Sequence, residues 1–225
     1  MARRKKKKKI KVFRVFLALV ILAVLGFLGY LLVQMPVRGY YISGNQYYSD
    51  YEILNKTGLD KYPSFILTNN ITIKFKIKKD SLIKSIKIKK KINGMFDVIV
   101  DENKILFYDI AKKNSILSNG KESDYYNEDS PVLVNIIEDK KIYDKLITKM
   151  NKIDEDIQKN ISEIKYDPND IDKERFLLSM NDGNYVYLTL SKMSNINSYL
   201  EISNTLGTKN GILYLDYGNY FVPKD

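Results

Sequence analysis

The sequence predicts an α+β protein whose folded part follows a single N-terminal membrane helix. Three observations carry this. Residues 15–33 form an uncharged apolar run of 19 residues. Beyond it, short segments alternate apolar and polar at period two around turn residues, as strands do. Between them lies a stripe at helical spacing, Ile142, Leu146, Met150, Ile153, Ile157, Ile161 and Ile164.

At about 1.5 Å per residue the apolar run spans roughly 28 Å, close to the ~30 Å hydrocarbon core of a bilayer. It is longer than the h-region of a signal peptide, roughly 7–15 residues, and no A-x-A-like site follows it. The expected element is therefore a retained helix over 15–35. Residues 1–14 hold nine basic residues and no acidic one, while only Arg38 and Lys56 follow in the next 25. That asymmetry places the N-terminus in the cytoplasm and the remainder outside it, a single-pass type II arrangement. It also accounts for the net charge of +10, because the rest of the chain holds 28 basic residues against 27 acidic ones. The basic tail suits anionic lipid headgroups, and no nucleic-acid partner is expected. Ala23, Gly26 and Gly29 form a small-residue ridge on which a partner helix could pack.

The exterior changes sign along its length. Residues 37–91 carry 12 basic and 4 acidic residues, and residues 92–225 carry 16 and 23. Two domains are expected, 37–103 and 104–223, with a mainly antiparallel sheet in the second. Val37 to Ile42 opens the first. Ser49 followed by Glu52 has the form of a capping box for a helix ending at Gly58. Residues 70–79 are ambiguous, because Ile71, Ile73, Phe75 and Ile77 alternate like a strand. Leu82 to Lys91 reads as a strand, and Met95–Asp101 with Ile105–Ile110 reads as a hairpin around Glu102-Asn103. The isoleucine stripe predicts one helix through Ile164, bounded by Pro168. Arg175–Met180 and Tyr185–Leu190 flank Asn181-Asp182-Gly183-Asn184, a hairpin signal. A helix over about 195–206 stops at Gly207. The chain closes with Ile212 to Asp216, a turn at Tyr217-Gly218-Asn219, and Tyr220 to Val222.

Chemistry is sparse. With no Cys and no His, disulfides, thiolate nucleophiles, imidazole bases and most metal sites are excluded. Ser81-x-x-Lys84, Ser179-x-Asn181 and Lys56-Thr57-Gly58 mimic a transpeptidase set, but in the wrong chain order and in too small an exterior. Asp167, Asn169, Asp170 and Asp172 lack the central Gly and closing Glu of a calcium loop. The expectation is a non-enzyme with no cofactor and no metal.

Several short motifs occur in a specific order behind the anchor. They are Ile42-Ser43-Gly44-Asn45, Ser49-x-x-Glu52-Ile53, Leu82 to Ile88, and Phe96-x-Val98-x-Val100-x-Glu102. Ser130-Pro131-Val132-Leu133, Ile161-Ser162-Glu163-Ile164, Asp182-Gly183 and Gly211 to Asp216 follow. Together they resemble the bacterial division proteins of the FtsQ/DivIB family over nearly the whole chain, with Gly44, Asn45 and Glu52 in the POTRA motif. Lys91-Ile92-Asn93-Gly94 replaces a proline usual in that family. The resemblance implies a POTRA-type domain, a helix at 70–79, and a β domain ending in an exposed edge strand. It further implies a scaffold of the divisome at the division septum. Its partners would be DivIC/FtsB-like and FtsL-like proteins, with septal peptidoglycan synthesis by an FtsW–FtsI pair regulated downstream. Strand addition would engage Ile212, Tyr214, Asp216, Tyr217, Tyr220 and Phe221, with Ile212–Asp216 as the edge. The alternative is a membrane-anchored POTRA-type binding module serving secretion or envelope assembly.

Overall fold

The apolar run forms one continuous helix, α1 (Val12–Gln34), of 23 residues with no buried side chain. It is long and apolar enough to cross a membrane. The computed structural model describes residues 12–207 and 210–224; the basic tail up to Lys11 lies outside them. The helix starts upstream of residue 15, taking in Val12, Phe13 and Arg14, and ends just before Met35.

The described residues divide into two compact units, the first of which includes α1. One holds the described residues up to Ile77 together with Ile86–Val100, the other Lys78–Ser85 with everything from Asp101 onward. The first is built on a three-stranded sheet of β1 (Gly39–Ser43), β2 (Ile83–Lys90) and β3 (Met95–Glu102), in the order β1-β3-β2. β1 runs parallel to β3, from Gly39 opposite Met95 to Ser43 opposite Ile99. Helix α2 (Asp50–Thr57) begins with the expected capping box: the Ser49 N–H donates to the Glu52 carboxylate at 2.8 Å, and Ser49 Oγ accepts from the Glu52 N–H. Those bonds from Ser49, backbone N–H first, hold the Glu52 carboxyl below its ordinary pKa. Gly58 closes the helix in the left-handed region.

The ambiguous segment is a helix, α3 (Asn70–Ile77). A period-two apolar pattern survives in a helix when both faces are apolar. Residues four apart share a face, so Ile73 and Ile77 are buried while Ile71 and Phe75 are exposed. Asn69 caps it through the N–H groups of Ile71 and Thr72. Asn70 then bonds both backbone groups of Ile88.

Gly44 follows β1 at φ +86°, and a Cβ there would lie 2.3 Å from the Val100 carbonyl oxygen. Asn45 next to it ties the turn, donating to the Tyr48 carbonyl and to Asp50. Gly44→Ala is therefore expected to cost about 2–3 kcal/mol from left-handed strain and the forced shift of a paired strand. Urea unfolding of the full chain would read this, and a cost below about 0.5 kcal/mol would contradict it.

The expected hairpin around Glu102-Asn103 does not form. β3 pairs within the three-stranded sheet, and β4 (Ile105–Asp109) belongs to the other. Asn103 is buried, its N–H donating to Leu82 O and its side chain to Ser81 O. These bonds turn the chain out of the first sheet. The tight turn lies instead between β2 and β3, where Gly94 (φ +83°) stands in the four-residue segment 91–94.

The second unit contains a nine-stranded sheet. After β4 come β5 (Asn114–Leu117), β6 (Glu122–Ser123), β7 (Val132–Leu133), β8 (Ile161–Tyr166), β9 (Arg175–Met180), β10 (Tyr185–Thr189), β11 (Gly211–Tyr214) and β12 (Tyr220–Pro223). Their order is β12-β11-β10-β9-β8-β7-β4-β5-β6. The pairings β11–β10, β8–β7 and β7–β4 are parallel and the remaining ones antiparallel. Helices α4 (Lys140–Met150), α5 (Glu155–Lys159) and α6 (Tyr199–Leu206), with a 3-10 helix (Leu190–Ser198), supply the residues packed on one face. The helix expected over about 195–206 thus begins as 3-10 and becomes α only at Tyr199.

The isoleucine stripe is not one helix. α4 stops at Met150, α5 is short, and Ile161 and Ile164 lie on β8, although all seven stripe residues are buried. The cause is a β-bulge: the register against β9 slips between Ile161 and Glu163. Two strand residues three apart then face the core together, which imitates helical spacing.

Candidate functional site

The site follows from where the sheet ends. Ile212–Asp216 was expected to be the exposed edge, but β11 is paired on both sides, with β10 and β12. Among the described residues β12 is the edge at this end of the sheet, and the two-residue β6 is the edge at the other. The closing segment folds back through the short turn after β11 and covers the side expected to be open.

Gly211 permits β12 to lie there. A Cβ at Gly211 would meet the Val222 carbonyl oxygen at 2.2 Å, Phe221 at 2.6 Å and Pro223 Cα at 2.9 Å. Buried Asn184 fixes the start of β11 by accepting the Gly211 N–H at 2.8 Å. Beyond β12, Lys224 donates to the Asn210 carbonyl. Antiparallel alternation then turns the backbone of Tyr220 and Val222 toward β11 and that of Phe221 outward. Pro223 occupies another outward position, where its missing N–H costs no ladder bond.

Side chains alternate accordingly. Leu213 and Leu215 are buried, and Phe221 packs against the core. On the opposite face Tyr187, Tyr214 and Tyr220 stack across three strands, with ring centroids 5.3 and 4.6 Å apart and interplanar angles of 25° and 11°. The Arg175 guanidinium lies 3.6 Å from the Tyr187 ring centroid and closes the row. Arg175 Nε donates to Asp216 Oδ2 at 2.9 Å and Nη1 to Asp167 Oδ2 at 3.0 Å. Burial works against its charge, but the Asp216 bond and the neighbouring carboxylates more than offset this and raise its pKa.

Of the six expected partner-binding residues, Ile212, Tyr214 and Tyr220 therefore share the outer face, and Tyr217 is exposed in the turn. Asp216 is buried beneath its bond to Arg175, its carbonyl also accepting from Lys192 Nζ. Phe221 offers its backbone rather than its ring. The sequence reading missed Tyr187, Arg175, Val222 and Gly211. The alternation of Tyr185/Tyr187 on the strand before would have signalled the first.

Elsewhere, Gly44, Asn45 and Glu52 shape the start of the first unit. Ala23, Gly26 and Gly29 lie on exposed α1, with nothing within 4 Å of a Cβ at either glycine. Lys84 is ion-paired with Asp101 at 3.1 Å on the surface. Asp167 is held by Arg175 and Lys165, and Asn169 closes a turn on the N–H groups of Ile171 and Asp172.

These features define an α+β protein with one N-terminal apolar helix suited to membrane anchoring, a small α/β unit, and a mixed, mainly antiparallel sheet. The family model described as "POTRA domain, FtsQ-type" matches residues 35–103. The cell division protein DivIB of Bacillus subtilis (strain 168) is 25% identical over 191 residues, covering 80% of this chain and 71% of that one. DivIB of Listeria monocytogenes is 25% identical over 190 residues, covering 80% and 70%. DivIB of Oenococcus oeni is 32% identical over 160 residues, covering 66% and 58%. A solved structure of the major extracytoplasmic domain of DivIB from Geobacillus stearothermophilus, 21% identical, overlaps 46% of this chain and 98% of its own with a TM-score of 0.38. The chain is thus similar to DivIB cell division proteins over most of its length, and its residues 35–103 match a POTRA domain of the FtsQ type.

Proposed function

We propose that this chain is a non-enzymatic scaffold of the bacterial division machinery, anchored through α1 with its N-terminus in the cytoplasm and its two units outside. It binds DivIC/FtsB-like and FtsL-like proteins by accepting a strand on β12, and through them regulates septal peptidoglycan synthesis by an FtsW–FtsI pair. The basic tail meets anionic lipid, and Ala23, Gly26 and Gly29 seat a partner's membrane helix. The observation that carries the binding reading is β12 itself: a strand paired on one side, its other backbone edge open at Phe221, beside a row of stacked tyrosines. Main-chain bonds from an added strand would supply affinity and the tyrosine face selectivity. Similarity to the DivIB cell division proteins and the FtsQ-type POTRA match support the division role.

Tyr220 is about half exposed, so a charge there leaves the core intact but confronts any added strand. Tyr220→Glu in the detergent-solubilised full chain is expected to weaken binding of the DivIC-like protein at least about tenfold, or ~1.4 kcal/mol. Unchanged affinity with unchanged thermal unfolding would remove β12 as the binding edge. A fluorescent fusion on the N-terminus should mark midcell before constriction; a uniform envelope signal would count against the division role.

A further inference from the structure

The first unit has two distinguishable ends. β1 leaves α1 at Gly39 opposite Met95 and runs to Ser43 opposite Ile99, so the β2–β3 turn lies at the end where the chain emerges from α1. The Arg38 N–H donates to the Gly94 carbonyl at 2.9 Å, which joins that turn to the segment just after the helix. The loop at residues 63–67 is tied to the same place. Val37 N–H donates to Pro63 O, Phe65 N–H to Met35 O, and Ser64 Oγ to the carbonyl of Val33, inside α1 itself. Lys90 Nζ bonds the Ile66 carbonyl at 2.8 Å and bridges loop and turn.

This end shows apolar tips to solvent: Ile66 is 45% exposed, Leu67 59% and Ile92 fully. Ile71, on the first turn of α3 beside Asn70 and its bonds to Ile88, is 67% exposed. Single exposed apolar residues are ordinary, but four gathered at one end call for a covering surface. The charge around them is mainly positive, the exception being Asp97, which pairs with Lys91 at 2.9 Å. Arg38, Lys89, Lys90 and Lys91 stand here, and residues 81–96 contain no acidic side chain.

We propose that this end of the first unit rests on the membrane that α1 enters, with Ile66, Leu67, Ile71 and Ile92 in the interfacial layer and Arg38, Lys89 and Lys90 on anionic headgroups. Apolar tips ringed by cations match the depth profile of an anionic bilayer surface. The bonds to the Val33 and Met35 carbonyls, one from the Ser64 hydroxyl and one from the Phe65 N–H, bring the loop to the level at which the helix leaves the hydrocarbon. Docking here fixes the tilt of the unit over the membrane without any protein partner. The inference needs α1 to span a bilayer and is independent of the β12 reading.

The chain has no Trp, so one introduced indole reports alone. The full chain would be reconstituted in phosphatidylglycerol nanodiscs doped with lipids brominated on their acyl chains. Ile92→Trp is expected to show blue-shifted emission and several-fold stronger bromolipid quenching than Tyr51→Trp, which lies on α2 beyond the far end of β1 and is well exposed. Lys89→Glu, or exchange of phosphatidylglycerol for phosphatidylcholine, should lower the quenching; a lysine near an anionic surface shifts the docked fraction about fivefold. Equal quenching of the two indoles overturns the proposal. So does shielding of the Ile92 indole that appears only on adding a division-protein partner, which would assign the patch to a protein interface. Tyr30→Trp within α1 separates the failures, because an unquenched indole there means that the anchor is not inserted.

Discussion

Asp216→Ala is expected to destabilise the second unit by about 3 kcal/mol, the lower end of the range for breaking a buried ion pair. The side chain of Asp216 is 3% exposed and that of Arg175 13%. Removing the carboxylate leaves a guanidinium half-neutralised by Asp167, which is itself 28% exposed. The same carboxylate accepts the Tyr217 N–H at 2.9 Å, so the turn into β12 loses an anchor as well. Asp167→Ala should cost under about 1 kcal/mol, because solvent already screens that partner. Replacing both members, as Arg175→Met with Asp216→Leu, should restore much of the loss, since the penalty comes from a stranded charge rather than from missing attraction. Urea titrations of the three variants at constant m-value would measure this. An Asp216→Ala chain within about 1 kcal/mol of the parent would show that the pair does not hold the sheet end together.

That role could not be read from the sequence, and the reason is general to this fold. Local chemistry was legible wherever it was self-contained. Ser49 and Glu52 cap their own helix, Asn181 to Asn184 make their own turn, and α1 is defined by 19 consecutive apolar residues. Errors arose where two structures write the same local pattern. A bulge let Ile161 and Ile164 imitate a helix, and a helix apolar on both faces let residues 71–77 imitate a strand. Partnership between distant segments was not legible at all. β3 and β4 are neighbours in sequence but sit in different sheets because Asn103 is bonded back to residues 81 and 82. The candidate site was half legible for the same reason. Alternation put Ile212 and Tyr214 on one face, and Tyr220 entered through the resemblance, whereas the row through Tyr187 to Arg175 needs the parallel pairing of β10 with β11, which joins residues about 27 apart.

Gly211→Ala separates the edge strand from the rest of the molecule more sharply than any charge on its surface. The added methyl meets backbone atoms of Val222 and Pro223, which cannot rotate away as a side chain would. Either β11 and β12 move apart or the pairing is lost. β12 has four residues, of which only Phe221 packs on the core, so release of that strand is the cheaper response. The overall cost is then about 1–3 kcal/mol. Amide protection should vanish at Tyr220 and Val222 while persisting in β9 and β10. If β12 is the edge on which a partner strand is added, its release removes the template, and binding of the DivIC-like protein should fall by at least about a hundredfold, or ~2.7 kcal/mol. A variant that loses protection in β12 yet binds normally would move the interface elsewhere, with the outer tyrosine face of β10 and β11 the next surface to test. A variant that keeps both protection and affinity would mean that the sheet end absorbs the methyl, and the close approach at Gly211 would then not be what seats the strand.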